Sequence, residues 1–261
     1  PPNVRMLIST LGVKTKKIVS VRNDPYKEYG YGIKAYFSKC IFLLADGCVF
    51  QTEDAQNYFF NSTRKKSTII LNPVNEKFFN HCWKADGRDI VLIGRLQAQK
   101  NPLLALEAFI MIANRFSDFN MVFYGDEELS SSILKKAKDN NLDNRVRIAG
   151  KTQYVETVLE NAALYILSSD YEGMPNALME AMTVGVPVIS TDCPCGGPRM
   201  LIKEVNQGVL VPCGDVKALA EAMTKVLSNQ ELQTEMSTHE QKRSSEFHPT
   251  KIYRQWEEYL K

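Results

Sequence analysis

Glu172 and Glu180 flank the turn in EGMPNALME. Gly173 and Pro175 forbid one continuous helix here, so Glu172 belongs to a loop and Glu180 to the second turn of the helix that follows. From about Met174 to Leu178, through Asn176 and Ala177, the helix start offers N–H groups with no intrahelical partner, Pro175 having none to give, which makes a natural anion site. A carboxylate in the second turn can accept two hydrogen bonds from a diol such as a ribose. One on the loop can accept from sugar hydroxyls beside a phosphate. Two other readings stand beside this one. The acids can simply favour a helix N-terminus, or they can be the acid and base of a glycosidase. Hydrolysis, however, has no use for a phosphate-binding helix start between the two carboxyls.

Other stretches carry chemistry of the same kind. In GRLQAQKNP, Gly94 ends a strand and the next helix begins near Pro102, leaving Arg95 and Lys100 on the loop. Two cations there suit a diphosphate, or are a solvated pair. In YGDEELS, Gly125 permits close approach of a ligand or a tight turn. Asp126, Glu127 and Glu128 read as favourable charges at a helix start. In TDCPCGGPRMLI, Gly196 and Gly197 open a helix toward the same crevice, or form a turn without a ligand.

The elements that must position these loops alternate. Apolar strands are expected at 89–94, 120–125, 145–150, 164–169, 186–191 and 208–212. Helices are expected at 102–116, 129–141, 155–162, 176–185, 216–229 and 231–245. Short apolar strands without alternation imply burial on both faces, hence an α/β doubly wound parallel sheet. Ligands bind such sheets at the strands' carboxyl ends, which marks the loops after Gly94, Gly125, Gly150, Ser169 and Thr191. Residues 1–75 repeat the rhythm incompletely. Helices are expected near 3–11, 33–45 and 53–60, and strands at 16–21, 47–52 and 68–73, with RNDPYKEYGYG as a loop. That is about half of a second α/β domain. With the opening PPNVRMLISTLG, it points to a chain truncated at its N-terminus. Residues 74–88 read as a linker.

Composition sets bounds. The 261 residues allow one large or two modest domains, and a net charge of +2 excludes a nucleic-acid binder driven by bulk charge. No apolar run approaches membrane-spanning length, and no signal peptide is visible. Six scattered cysteines, with C-P-C at 193–195, lack zinc-site spacing and read as reduced thiols of a cytoplasmic protein. Lys14, Lys16 and Lys17 with Arg64, Lys65 and Lys66 could touch anionic lipid at the inner membrane, though a solvated surface is the plainer reading.

Taken in order, GRLQAQKNP, YGDEEL, SSDYEGMPNALMEAMTVGVPVISTDCPCGGPR and GVLVPCGD resemble the family 4 retaining glycosyltransferases of the two-domain GT-B fold. The likeness runs over about residues 17–260, and E-x7-E, Glu172 to Glu180, is its most specific part. It implies residues 1–75 as the second half of a Rossmann-like acceptor-side domain and 76–245 as a complete nucleotide-sugar donor domain. FHPTKIYRQWEEYLK, in 246–261, would be the helix crossing back.

The resemblance implies roles. Arg95 and Lys100 would neutralise the donor diphosphate. Glu180 would bind the ribose, and Glu172 the transferred sugar. Gly94, Gly125, Gly150 and the amides of 173–178 would line the site, with Lys151 to Val155 packed on the base. The reaction would move a UDP-linked hexose to a glycan or lipid-linked hydroxyl with retention. It would need neither a metal nor a protein nucleophile, and nucleic acid would not be a partner. Relatives of this type serve bacterial capsule, exopolysaccharide and O-antigen synthesis.

The sequence also departs from the pattern. The family's first strand and Gly-rich loop are absent. SVRNDP stands where many members place a histidine, so Arg22 or Asn23 would fill that space. Met200 replaces a common glutamate. A sugar-nucleotide-binding fragment without activity, an epimerase and a phosphorylase are the competing expectations.

Overall fold

The computed structural model describes residues 1–125 and 128–261. Asp126 and Glu127, part of the acidic run read as helix-start charges, lie outside the described residues.

Six apolar segments pair in parallel: β4 (Asp89–Ile93), β5 (Asn120–Tyr124), β6 (Val146–Ile148), β7 (Ala162–Leu167), β8 (Val188–Thr191) and β9 (Val209–Val211). Their spatial order is β6-β5-β4-β7-β8-β9. The chain builds outward from β4 to one edge, then returns beside β4 and builds to the other. The order therefore reverses between β4 and β7, where Val91 lies opposite Tyr165. Crevices open at such switch points because consecutive connections leave to opposite faces.

Successive side chains of a strand face opposite ways. Ile90 and Leu92 of β4 thus join Phe109, Met121, Phe123 and Met223 on one side. Val91 joins Tyr165, Leu167, Leu178, Met179 and Met182 on the other. The helices Pro102–Ile112 and Val216–Leu227 cover the first face, and Asn176–Val184 the second. Burial on both faces is the reason the strands lack alternation.

A smaller parallel sheet has β1 (Ile18–Ser20), β2 (Gly47–Phe50) and β3 (Ser67–Ile69) in chain order. The strands are shorter than the sequence pattern, and two expectations need correction. The stretch read as a loop contains the helix Pro25–Tyr29. Asp24 caps it by accepting from the Tyr26 amide at 2.9 Å, with Pro25 at the first position. The helix expected at 53–60 ends at Asn57, and a second short helix, Asn61–Arg64, follows beyond the expected range.

Between the sheets, residues 74–88 include the 3-10 turn Glu76–Asn80. Phe78 is buried with Met179, and the Trp83 indole donates to the Ala162 carbonyl at 2.8 Å. The last helix, Pro249–Leu260, returns to the small sheet. There the Tyr259 hydroxyl accepts from the Cys48 amide at 2.8 Å and donates to the Lys66 carbonyl at 2.6 Å.

Candidate active site

The loops after β4 and β7 emerge side by side at the switch point and are tied together. The Asp170 amide donates to the Gln99 carbonyl at 2.9 Å, and the Gln99 amide side chain to the Tyr171 carbonyl at 3.0 Å. Asn101 donates to the Asp170 carboxylate at 2.9 Å. The Ser168 hydroxyl lies 2.9 Å from both the Lys100 and Asn101 carbonyls. Two loops about seventy residues apart in sequence therefore form one rim.

At the centre of that rim Lys100 pairs with Glu172, and Ser169 donates to the same carboxylate oxygen at 2.6 Å. Glu172 is 8% exposed and Lys100 17%, so the pair is largely withdrawn from water and neutralises itself. Ser169 carries no signal of its own in the sequence. It is simply the last residue of a strand pattern.

Gly173 follows. A Cβ there would stand 2.5 Å from the Arg22 carbonyl and 2.9 Å from the Asn23 Cα. Only glycine lets the loop from the small sheet approach this closely. Gly197 does the same from the other side, where a Cβ would strike the Gly173 carbonyl. Arg22 and Asn23 thus reach the turn through main chain. The Arg22 guanidinium turns to Asn72 and lies over the Trp256 ring, 5.5 Å from its centroid, and burial lowers its pKa. Asn72 in turn donates to the Asn176 side chain at 2.6 Å.

The helix Asn176–Val184 begins after Pro175 with no side-chain cap. The Leu178 amide differs from the sequence expectation. It already donates to the Pro175 carbonyl at 3.1 Å, because the first turn is tight. The uncapped start is therefore that of Asn176 and Ala177, while Leu178 packs its side chain in the core.

Glu180 lies one turn on. Burial pushes its carboxyl up to about 7, Lys77 pulls it down, and Glu156 adds to the rise. Lys77 and Glu156 are themselves paired at 2.6 Å. Both Glu172 and Glu180 act on the Tyr165 hydroxyl, which burial raises well above its ordinary value and which has no hydrogen-bond partner. The two carboxylates thus approach one side chain from different elements. Lys77, Glu156, Ser169, Asn72 and Trp256 were not legible as site residues. Each is brought in by contacts distant in sequence.

Across the ends of β4, β5 and β6 the backbone steps by hydrogen bonds. The Gly94 amide donates to the Tyr124 carbonyl at 2.9 Å, and the Gly125 amide to the Gly150 carbonyl at 3.0 Å. A Cβ at Gly125 would strike the Gly94 carbonyl, which is why glycine ends this strand. An open cavity of about 290 Å³ lies above this step. Gly94, Arg95, Gly125, Lys151 and Val155 line it, with Thr152 on its wall.

The three histidines pair elsewhere: His81 with Glu160, His239 with Asn206, and His248 at the start of the last helix. Among the described residues, no three His, Cys, Asp or Glu side chains gather into a cluster able to hold a metal. The six cysteines are free thiols.

A paired cation and carboxylate at a switch point, beside an uncapped helix start and a cavity with an arginine, can hold a phosphorylated ligand that also bears hydroxyls. Known proteins resemble this chain in sequence or fold. The family described as glycosyl transferases group 1 matches residues 74–243, that is 170 of the 261 residues. The chain is 26% identical over 262 residues to a Campylobacter jejuni protein named GalNAc-alpha-(1->4)-GalNAc-alpha-(1->3)-diNAcBac-PP-undecaprenol alpha-1,4-N-acetyl-D-galactosaminyltransferase. That match covers 97% of this chain and 70% of the relative.

Among solved structures, Anabaena HepE in complex with UDP superposes with a TM-score of 0.88 at 16% identity, over 99% of this chain and 75% of that one. Staphylococcus aureus TarM superposes with a TM-score of 0.84 at 19% identity. This chain covers 53% of TarM, about half its length. The fold is thus the GT-B type, and the match over residues 74–243 shows that this chain belongs to the glycosyl transferases group 1 family.

Proposed function

We propose that this chain belongs to a retaining hexosyltransferase of the family 4 type that takes its sugar from a UDP-linked donor. The observation that carries the reading is the Lys100–Glu172–Ser169 cluster at the switch point, beside the uncapped start of Asn176–Val184. Arg95, Lys100 and the helix-start N–H groups would hold the diphosphate, their charges fixed before the bond breaks. Lys100 would then divide its charge between Glu172 and the phosphate, freeing Glu172 to accept from the sugar hydroxyls. Glu180 would accept from the ribose diol, and the base would lie over Lys151 to Val155 in the cavity. Fixed cations in these places do the work a metal would do, and the departing phosphate would take the acceptor's proton.

The choice of UDP is supported by the HepE complex, and that of a lipid-linked glycan acceptor by the name of the Campylobacter relative. Residues 1–75 with the last helix would form the acceptor side, and 76–245 the donor side. A membrane-linked acceptor would call this chain to the cytoplasmic membrane face. Among the described residues, no helix is long and apolar enough to cross a membrane.

Titration calorimetry with UDP, GDP, UDP-hexoses and GDP-mannose tests the donor. Saturable binding of a uridine nucleotide is expected, weakened at least about tenfold by Arg95→Ala and by Glu180→Ala, the loss of one strong polar contact each. Preference for a guanosine nucleotide would replace UDP in this reading, and binding of neither by the folded chain would overturn it. Binding without transfer would identify a donor-binding unit.

A further inference from the structure

We propose that a pocket at the amino end of the larger sheet, remote from the crevice, binds a small hydroxylated carboxylate such as a sugar acid. Gly87, Phe119 and Ala163 border it, beside the starts of β4, β5 and β7. The candidate active site lies at the other ends of these strands, about 15–20 Å away at the rise of a β-strand. The cavity holds about 270 Å³, near the lower end of the range for small-molecule sites.

Groups on its wall keep hydrogen-bonding capacity that the fold does not use. Gln233 is only 9% exposed. Its side-chain NH2 donates to the Val226 carbonyl at 2.8 Å, and among the described residues nothing donates to its Oε1. Buried polar atoms are as a rule paired, so the pocket must supply that donor. The Ser228 hydroxyl donates to the Thr224 carbonyl at 2.8 Å, which leaves its oxygen free to accept. Both positions suit ligand hydroxyls. Gln230 opens the fifteen-residue helix Gln230–Ser244. The Asn229 side chain caps its Leu232 amide at 2.9 Å, so the amides of the first turn before it still face outward without an intrahelical partner.

Arg88 supplies the charge. Its guanidinium lies 5.4 Å from the centroid of the Phe119 ring and donates to the Gly87 carbonyl at 3.1 Å, which holds it against the wall. None of the residues lining the pocket is acidic. Trp83 has already given its indole N–H to the Ala162 carbonyl, so it offers only apolar surface. One planar cation between two aromatic side chains is matched by one planar carboxylate, held through two parallel hydrogen bonds. A phosphate dianion would leave half its charge unanswered beside those rings. A carboxylate without hydroxyls would leave Gln233 and Ser228 unanswered instead. The fitting ligand therefore carries one carboxylate and at least two hydroxyls on a body the size of one sugar ring. This reading does not rest on the donor proposed above.

Calorimetry of the chain with glucuronate, with and without UDP, tests it. Saturable binding is expected, unchanged by UDP and weakened at least about tenfold by Arg88→Gln, which removes the charge-assisted pair. Arg88 is exposed, so this variant should keep the fold. Glucose should bind at least about tenfold more weakly than glucuronate, for the same reason. In amide NMR spectra, glucuronate should shift Ser228, Gln230 and Gln233 and leave Gly94, Gly125 and Glu172 in place. Competition with UDP, or shifts at those last three, would put the ligand in the crevice and overturn the proposal. Full binding by Arg88→Gln, or no saturable binding by the folded chain, overturns it as well. Tighter binding of glucose 6-phosphate than of glucuronate would overturn the carboxylate. The donor assignment fails separately, by loss of UDP binding while the glucuronate titration stays as it is.

Discussion

At the scale of single residues the site is a balance between burial and charge. Burial lifts the Glu180 carboxyl from 4.5 to about 7. The folded state thus holds its proton more tightly than the unfolded chain. Below pH 4.5 both states are protonated and the group costs nothing. As the pH rises toward 7 the unfolded chain ionises first and stability is lost, and above 7 the full cost is present, of order 3 kcal/mol. Glu180→Gln should therefore raise the melting temperature well above pH 7 and give no such gain below pH 4.5. Differential scanning calorimetry at the two ends decides it; an equal gain at both would mean that the carboxyl is not perturbed. If Glu180 accepts from a ribose diol it must be ionised, so wild-type affinity for UDP should weaken as the pH falls below about 7. In Glu180→Gln that dependence should flatten. Lys100 poses the opposite problem. Lys100→Ala leaves a nearly buried Glu172 with only the Ser169 hydroxyl, at a cost of about 3 kcal/mol. Adding Glu172→Gln should restore part of that loss in urea unfolding. Independent, additive effects would show that the two charges are not coupled.

At the scale of elements, the alternation of strands and helices was legible because burial on both faces leaves an uninterrupted apolar signature. The site loops were legible from the same cause, since strand ends of a parallel sheet are where ligands gather. Other features were not. The helix Pro25–Tyr29 was hidden by its tyrosines and glycines, although Asp24–Pro25 is a start signal when read as cap and first position. The pairing of Asn72 with Asn176 and of Arg22 with Trp256 joins residues 104 and 234 positions apart, which no local period encodes. The same holds for Gly173. Its sequence context marks a turn, but the reason for glycine is the main chain of Arg22 and Asn23 pressed against it. Gly173→Ala should cost about 1–3 kcal/mol by overpacking backbone against backbone. It should also weaken nucleotide binding, because the turn must move. A thermal melt beside UDP calorimetry reads both, and an alanine variant that is neutral in both would mean that the two elements do not meet this closely.

At the scale of the whole molecule, the two sheets are held as one partly by the end of the chain. Val74 donates to the Phe247 carbonyl at 3.0 Å where the chain leaves one sheet and later returns to it. The last helix then places Trp256 beneath Arg22 and Tyr259 at the edge of β2. Phe247 and Ile252 fill the core that Val49, Ile70 and Phe78 share with the larger sheet, so this helix is a structural part of both layers. The Tyr259 hydroxyl carries the polar share of that docking. It meets the Cys48 amide and the Lys66 carbonyl, and its ring stands where a side chain at Gly47 would otherwise lie, the built Cβ falling 2.6 Å from the hydroxyl. Tyr259→Phe keeps the ring but removes the hydroxyl's hydrogen bonds, leaving the Cys48 amide only its 3.2 Å bond to the Lys66 carbonyl, at a cost of about 0.5–1.5 kcal/mol. Hydrogen exchange should localise the loss. The Cys48 amide and its neighbours in β2 are expected to exchange faster, while β4 and β5 keep their protection, because their core on the far face does not include the last helix. Equal loosening of both sheets would instead mean that the molecule opens as a single unit and that the last helix fastens all of it.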